Sequence, residues 1–195
     1  LPKTTMTFID QWLRADIKHI KAYHVPSSKN MLKMDAMESP FGIPEDLKQD
    51  FLDCIAQAQV NRYPDSNAEE LHTTIRSLMD IPNDLGVLLG NGSDELIQLL
   101  AMACNSGDIV MSFEPSFVMY EMVAKFTQLN YQGIKLNDKF EIDLENTLKA
   151  ITSNKPKLIF IAYPNNPTGN SFDYEAIKEI IKSTNSLVVL DEAYY

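Results

Sequence analysis

Two side chains stand where chemistry on a flat ring could be done. One is Asn166, in Tyr163-Pro164-Asn165-Asn166-Pro167-Thr168-Gly169; the other is Asp191, heading Asp191-Glu192-Ala193-Tyr194. Each follows a short apolar run, Lys157–Ala162 and Leu187–Leu190 respectively. Such runs predict buried parallel strands, which present polar side chains to a shared crevice at their carboxyl ends. An amide and a carboxylate aimed at one crevice suit a heteroaromatic group with a ring nitrogen and a phenolic oxygen. The carboxylate would keep a proton on the ring nitrogen, so that the ring can take up carbanion electrons. The amide would donate to the phenolic oxygen. Alone, an Asp at a strand end is more often a helix or turn cap, and an Asn pair also reads as a ligand-free β-turn. The two together are specific. Pro164 and Pro167 fix φ and restrict the residues before them, which gives the Asn turn a rigid shape.

A third signal is Gly90-Asn91-Gly92-Ser93-Asp94-Glu95, which joins an expected strand to a helix start. Glycine permits close backbone approach, and free N–H groups at a helix start attract an anion. Gly92, Ser93 and Asp94 are therefore candidates to hold a phosphate through backbone amides and the Ser93 hydroxyl. The segment reads equally as a tight turn whose Asp94 and Glu95 stabilise the helix dipole. In the first case both carboxylates must point away from the anion. A dinucleotide-binding turn is disfavoured, because the third glycine position of that fingerprint is Glu95. Phe117, just after another expected strand, either stacks on a ring face or is a core aromatic at a helix start.

The elements that must position these residues alternate. Helical spacing covers Asp10–Tyr23, a stretch from Glu45 carrying Leu47, Phe51, Leu52 and Ile55, and Ala68–Met79. Strands are expected at Gly86–Gly90, Asp108–Phe113, Tyr131–Leu136, Leu158–Ala162 and Leu187–Leu190. Helices are expected between them, at Asp94–Cys104, Phe117–Leu129, Leu144–Ile151 and Tyr174–Ile181. Leu32–Ala36 reads as a short extended piece. Strand–helix alternation predicts an α/β fold, a largely parallel sheet covered by helices on both faces.

The 195 residues are 45% hydrophobic and 23% charged, an ordinary globular composition. The net charge of −10 argues against nucleic acid or an anionic membrane as partner. No apolar stretch reaches membrane-spanning length, and the first residues lack a secretory apolar core, so a cytoplasmic location is expected. Cys54 and Cys104 are expected to be buried free thiols. The three histidines have no metal-ligand spacing, so no metal is expected.

The Asn-Asn-Pro and Asp-Glu-Ala segments resemble those of pyridoxal-phosphate (PLP) aminotransferases of fold type I. Over nearly the whole chain the wider match resembles the histidinol-phosphate aminotransferase family, class II. The segments that carry it are Lys21–Tyr23, Met34–Pro40, Asn61–Pro64, Gly90–Glu95, Pro115–Tyr120, Pro164–Gly169 and Asp191–Tyr194. The resemblance implies transamination between L-histidinol phosphate and 2-oxoglutarate in histidine biosynthesis, with PLP as cofactor. It implies that Tyr63 reaches the cofactor phosphate of a partner subunit, hence a homodimer. It also implies that Tyr194 supports the phenolic oxygen and that Tyr23 lies near the substrate. Met37 departs from the Asn of many relatives, so no contact is carried over there.

In that family the Schiff-base lysine lies beyond the Asp-Glu-Ala-Tyr strand, so the catalytic lysine is expected beyond Tyr195 and none within this chain. Lys178 and Lys182 read as solvated charges on an outer helix face, and Lys29 lies far from the strand ends. The chain is therefore read as the N-terminal half of a longer enzyme and inactive alone. Residues 1–44 would form an N-terminal arm and part of a small domain, and 45–195 the first half of the PLP-binding large domain. Other readings keep the cofactor and change the substrate: an aromatic or other aminotransferase, or an amino-acid phosphate decarboxylase. A non-catalytic fragment of the same fold and a nicotinamide-dependent oxidoreductase are readings from other classes.

Overall fold

The computed structural model describes residues 8–18, 20, 27, 29–33 and 38–195. The chain divides into two compact units, Leu1–His24 with Gly90–Tyr195, and Val25–Leu89.

The larger unit is built on four parallel strands: β1 (Ile109–Glu114), β2 (Asn130–Lys135), β3 (Leu158–Ala162) and β4 (Leu187–Asp191). Their order in the sheet is β2-β1-β3-β4. Side chains alternate between faces along a strand, and the core divides accordingly. Val110 of β1 with Leu158, Phe160 and Ala162 of β3 packs under Ile97, Ala101, Val123 and Ala124. Those four come from α4 (Ser93–Met102) and α5 (Met119–Phe126). On the opposite face Met111, Phe113, Ile159 and Ile161 pack under Ile151, Ile177 and Ile180. These belong to α6 (Leu144–Asn154) and α7 (Tyr174–Lys182). β3 is apolar at all five positions because both of its faces are covered. Asp143 and Asp173 start α6 and α7 by accepting the Asn146 and Glu175 backbone N–H groups, so each helix begins where its face meets the sheet.

Among the described residues β4 lies at the edge, with Leu187 54% exposed and one side of its ladder unpaired. Gly86–Gly90, expected as a strand, is irregular: it has no ladder partner among the described residues. The first helix is also shorter than its spacing predicts. α1 covers only Phe8–Trp12, after which the chain turns, and Arg14 donates to the Lys125 and Phe126 carbonyls at the end of α5. A guanidinium there satisfies carbonyls that the helix leaves free.

The smaller unit contains α2 (Glu45–Gln57) and α3 (Glu69–Leu78). Both have the expected periodicity, yet neither buries a residue. Cys54, expected to be buried, is exposed for this reason, and Cys104 on the larger unit is half-buried. Asp65 accepts the Asn67 and Glu69 N–H groups and opens α3. Among the described residues no helix is long and apolar enough to cross a membrane.

Candidate active site

The strand order reverses between β1 and β3: from β1 the chain moves outward to β2, then returns across β1 to β3 and β4. At such a switch the loops leaving the carboxyl ends diverge and open a crevice. Its lining brings together Ser93, Phe117, Asn166, Asp191 and Tyr194, with Tyr120, Ala162, Pro164 and Ala193. Five residues singled out in the sequence, from four separate segments, thus share one cavity. Its volume is about 20 Å³, room for about one water molecule. Ala193 and Tyr194 are the exposed wall members.

Asp191 ends β4. Its Oδ2 accepts the Tyr120 hydroxyl at 2.7 Å and its Oδ1 the Ala193 backbone N–H at 3.2 Å. Tyr120 is buried, its ring stacked on Phe160 at 4.8 Å and met edge-on by Phe117 at 5.6 Å. Burial first, then the Asp191 charge, pushes the Tyr120 hydroxyl far above the usual phenol range, so it stays a donor. Sequence reasoning passed over Tyr120. The signal available was an aromatic with a polar handle one helical turn after Phe117.

Asn166 follows β3 and is half-buried. Among the described residues its side-chain amide has no hydrogen-bond partner, unlike that of Asn165 beside it. The Tyr163–Pro164 and Asn166–Pro167 peptide bonds are both cis.

The start of α4 contributes Ser93 to the cavity, whereas Gly92 before it and Asp94 after it lie outside its lining. Gly92 has φ +80°, a conformation that favours glycine. A Cβ at Gly90 would fall 2.8 Å from the Leu96 side chain, so the turn lies tight against its own helix. No side chain caps the start of α4. Glu95 folds back onto the Asn91 N–H, which removes its carboxylate from the free first-turn amides. Asp94 behaves differently: burial, then the Asp191 charge, raises its carboxyl above the ordinary range.

Tyr63 stands on the smaller unit with its ring fully exposed. Tyr23 and Met37 lie outside the described residues. Lys178 pairs with Glu175 on the outer face of α7, and no lysine lines the cavity.

Among known proteins, the profile for aminotransferase class I and II matches residues 29–195. A histidinol-phosphate aminotransferase of Vesicomyosocius okutanii is 62% identical over 97% of this chain, which covers 54% of that relative. A histidinol-phosphate aminotransferase of Thiocapsa roseopersicina is 47% identical, with 94% of this chain and 98% of that sequence covered. The chain thus spans about half the length of the first relative. Among solved structures, the histidinol-phosphate aminotransferase of Sinorhizobium meliloti in complex with pyridoxal-5'-phosphate shares the fold at TM-score 0.77. The identity is 20%, and the match covers 93% of this chain and 51% of that one. That of Clostridium acetobutylicum gives TM-score 0.66 at 26% identity, covering 77% and 44%. The α/β architecture expected from the sequence is the aminotransferase fold, and the chain belongs to the aminotransferase class I and II family.

Proposed function

We propose that this chain forms the ring-holding half of a PLP-dependent transaminase that exchanges an amino group between L-histidinol phosphate and 2-oxoglutarate. The observation that carries the reading is the convergence of Ser93, Phe117, Asn166, Asp191 and Tyr194 on one cavity at the β1/β3 switch. The donor set suits the cofactor. Asp191 is an acceptor held by two donors, Asn166 offers an amide with no partner among the described residues, and the α4 start is uncapped. At about 20 Å³ the cavity must widen to admit a pyridine ring, and the exposed Ala193–Tyr194 wall is where space is most cheaply found.

PLP supplies an electron sink for the carbanion formed when the substrate Cα loses its proton. The chain's own residues would do four things. Asp191 would accept the ring N–H and keep that proton in place, while Asn166 and Tyr194 would donate to the phenolic oxygen. Ser93, with the Gly92 and Asp94 backbone, would bind the phosphate at the α4 start. Phe117 would cover one ring face, braced edge-on by Tyr120. Tyr23 would lie near the substrate.

The activity belongs to the whole protein, as a homodimer in the cytoplasm in which Tyr63 reaches the phosphate held by the partner subunit. Residues 1–44 would serve as arm and part of a small domain, and 45–195 as the first half of the large domain. The names of the relatives support histidinol phosphate as the amino donor. The test is a panel assay on the full-length protein with PLP, following glutamate formed from 2-oxoglutarate. L-histidinol phosphate should give the highest kcat/KM among the amines. A preference for an aromatic amino acid, or absence of a bound-cofactor absorbance band, defeats the assignment.

A further inference from the structure

Asn165 has no part in the reading above, yet its polar groups are more fully engaged than those of Asn166. The residue is 2% exposed. Its Oδ1 accepts the Ser116 hydroxyl at 2.9 Å, and its Nδ2 donates to the Pro115 carbonyl at 3.0 Å and to Thr168 Oγ1 at 2.7 Å. The Asn165 backbone N–H donates to the Asn170 carbonyl, and its own carbonyl accepts the Gly169 N–H. A carbonyl such as that of Pro115 can only accept, so the atom facing it must be the amide nitrogen. The Thr168 hydroxyl then donates to the Asn170 side chain, whose Nδ2 reaches the Phe140 carbonyl. The Asn165 amide thereby joins the loops leaving β1 and β3, and the Asn170 amide joins the β3 loop to the loop leaving β2.

The sheet explains why a side chain is needed there. β1 pairs with β2 over six positions, and β3 with β4 over five. Between β1 and β3 the register covers only Val110–Leu158 and Met111–Ile159, at their amino-terminal ends. Towards the carboxyl ends no further ladder pair joins these two central strands. Asn165 spans the gap where the ladder has stopped. Ser116 is bonded to Phe117 and Asn165 to Asn166, so the strut joins the two walls one residue away from each.

We propose that Asn165 is a positioning residue: its side-chain amide sets the separation of the Phe117 and Asn166 walls, and through it the affinity for the planar ring that lies between them. The proposal rests on the PLP reading. Neighbouring chemistries do not substitute. An ionised aspartate cannot donate to the Pro115 carbonyl and a protonated one has a single donor for two acceptors, serine is too short to span the gap, and leucine leaves buried polar groups unpaired.

The experiment uses full-length protein stripped of cofactor. The dissociation constant of pyridoxamine phosphate, which needs no covalent bond to a lysine, is measured alongside the apo melting temperature. Asn165→Asp should weaken binding about tenfold, the equivalent of one hydrogen bond in the 1–1.5 kcal/mol range. Ser116→Ala, which removes one end of the strut from a half-buried loop, should weaken it several-fold. Its effect should shrink in a Phe117→Leu background, where the wall it sets has been cut back. If Asn165→Asp does not fold, Ser116→Ala and its cycle with Phe117→Leu decide. A lowered melting temperature with unchanged pyridoxamine phosphate affinity, or an additive cycle, overturns the strut. Failure of the unsubstituted protein to bind pyridoxamine phosphate overturns the PLP reading instead.

Discussion

The Tyr120 hydroxyl donates to Asp191 Oδ2 across 2.7 Å, joining the first turn of α5 to the carboxyl end of the edge strand β4. β3 lies next to β4 in the sheet, and the Tyr120 ring reaches across it by stacking on Phe160. The bond therefore orients the acid from beneath while leaving its remaining lone pairs to a ligand. Tyr120→Phe keeps the stack and deletes only the donor. Hydrogen bonds to charged groups are worth about 2 kcal/mol, so unfolding in urea should show a loss of that order. PLP affinity should fall several-fold in parallel. Unchanged values of both would mean that the hydroxyl is idle.

Asp191→Asn conserves shape and removes charge. If the acid holds a proton on a ring nitrogen, PLP binding should weaken at least about tenfold, a change of about 1.4 kcal/mol. Absorbance titration of the apo protein measures this. Wild-type affinity in the variant removes Asp191 from the site.

Gly92→Ala tests the turn before α4. At φ +80° and ψ 171°, a region essentially restricted to glycine, an L side chain costs about 1–3 kcal/mol, although nothing lies within 4 Å of the added Cβ. The expected result is a matching loss of stability, together with weaker competition by inorganic phosphate against the cofactor. A loss of stability without any change in phosphate competition would restrict this turn to a structural part.

Asp94 supplies a pH prediction. Its carboxyl is raised above 3.8 by burial and by Asp191, so the folded state holds that proton more tightly than the unfolded state does. Stability from this group is then fully present below 3.8 and is lost as pH rises through the folded value. Asp94→Asn should flatten that loss, making the variant relatively more stable near neutrality than near pH 3. Chemical denaturation at several pH values measures the difference, and parallel curves for both proteins would contradict it.

Much of the larger unit was legible in the residues. Continuous apolar runs marked β3 and β4, helical periods marked α4 to α7, and the polar residues at the run ends marked the crevice. Local regularity fails where an element depends on a partner. Gly86–Gly90 has the composition of a strand but no ladder to join, and α2 carries a helical stripe that buries nothing. Tyr120 was missed because its importance is a contact with a residue 71 positions away. The double Asn divided the same way: spacing pointed to Asn166, while the fold engages Asn165.

By itself, the order of residues determined which side chains could end a strand and face a ring, because period and punctuation are short-range properties that a linear chain carries. Which of them meet was decided only in three dimensions. The strand order places Phe117 and Asn166 at the reversal point, β1–β3 pairing ends early before it, and Tyr120 reaches Asp191 across Phe160. These contacts join segments far apart in the chain, and closing them depends on packing against the whole sheet.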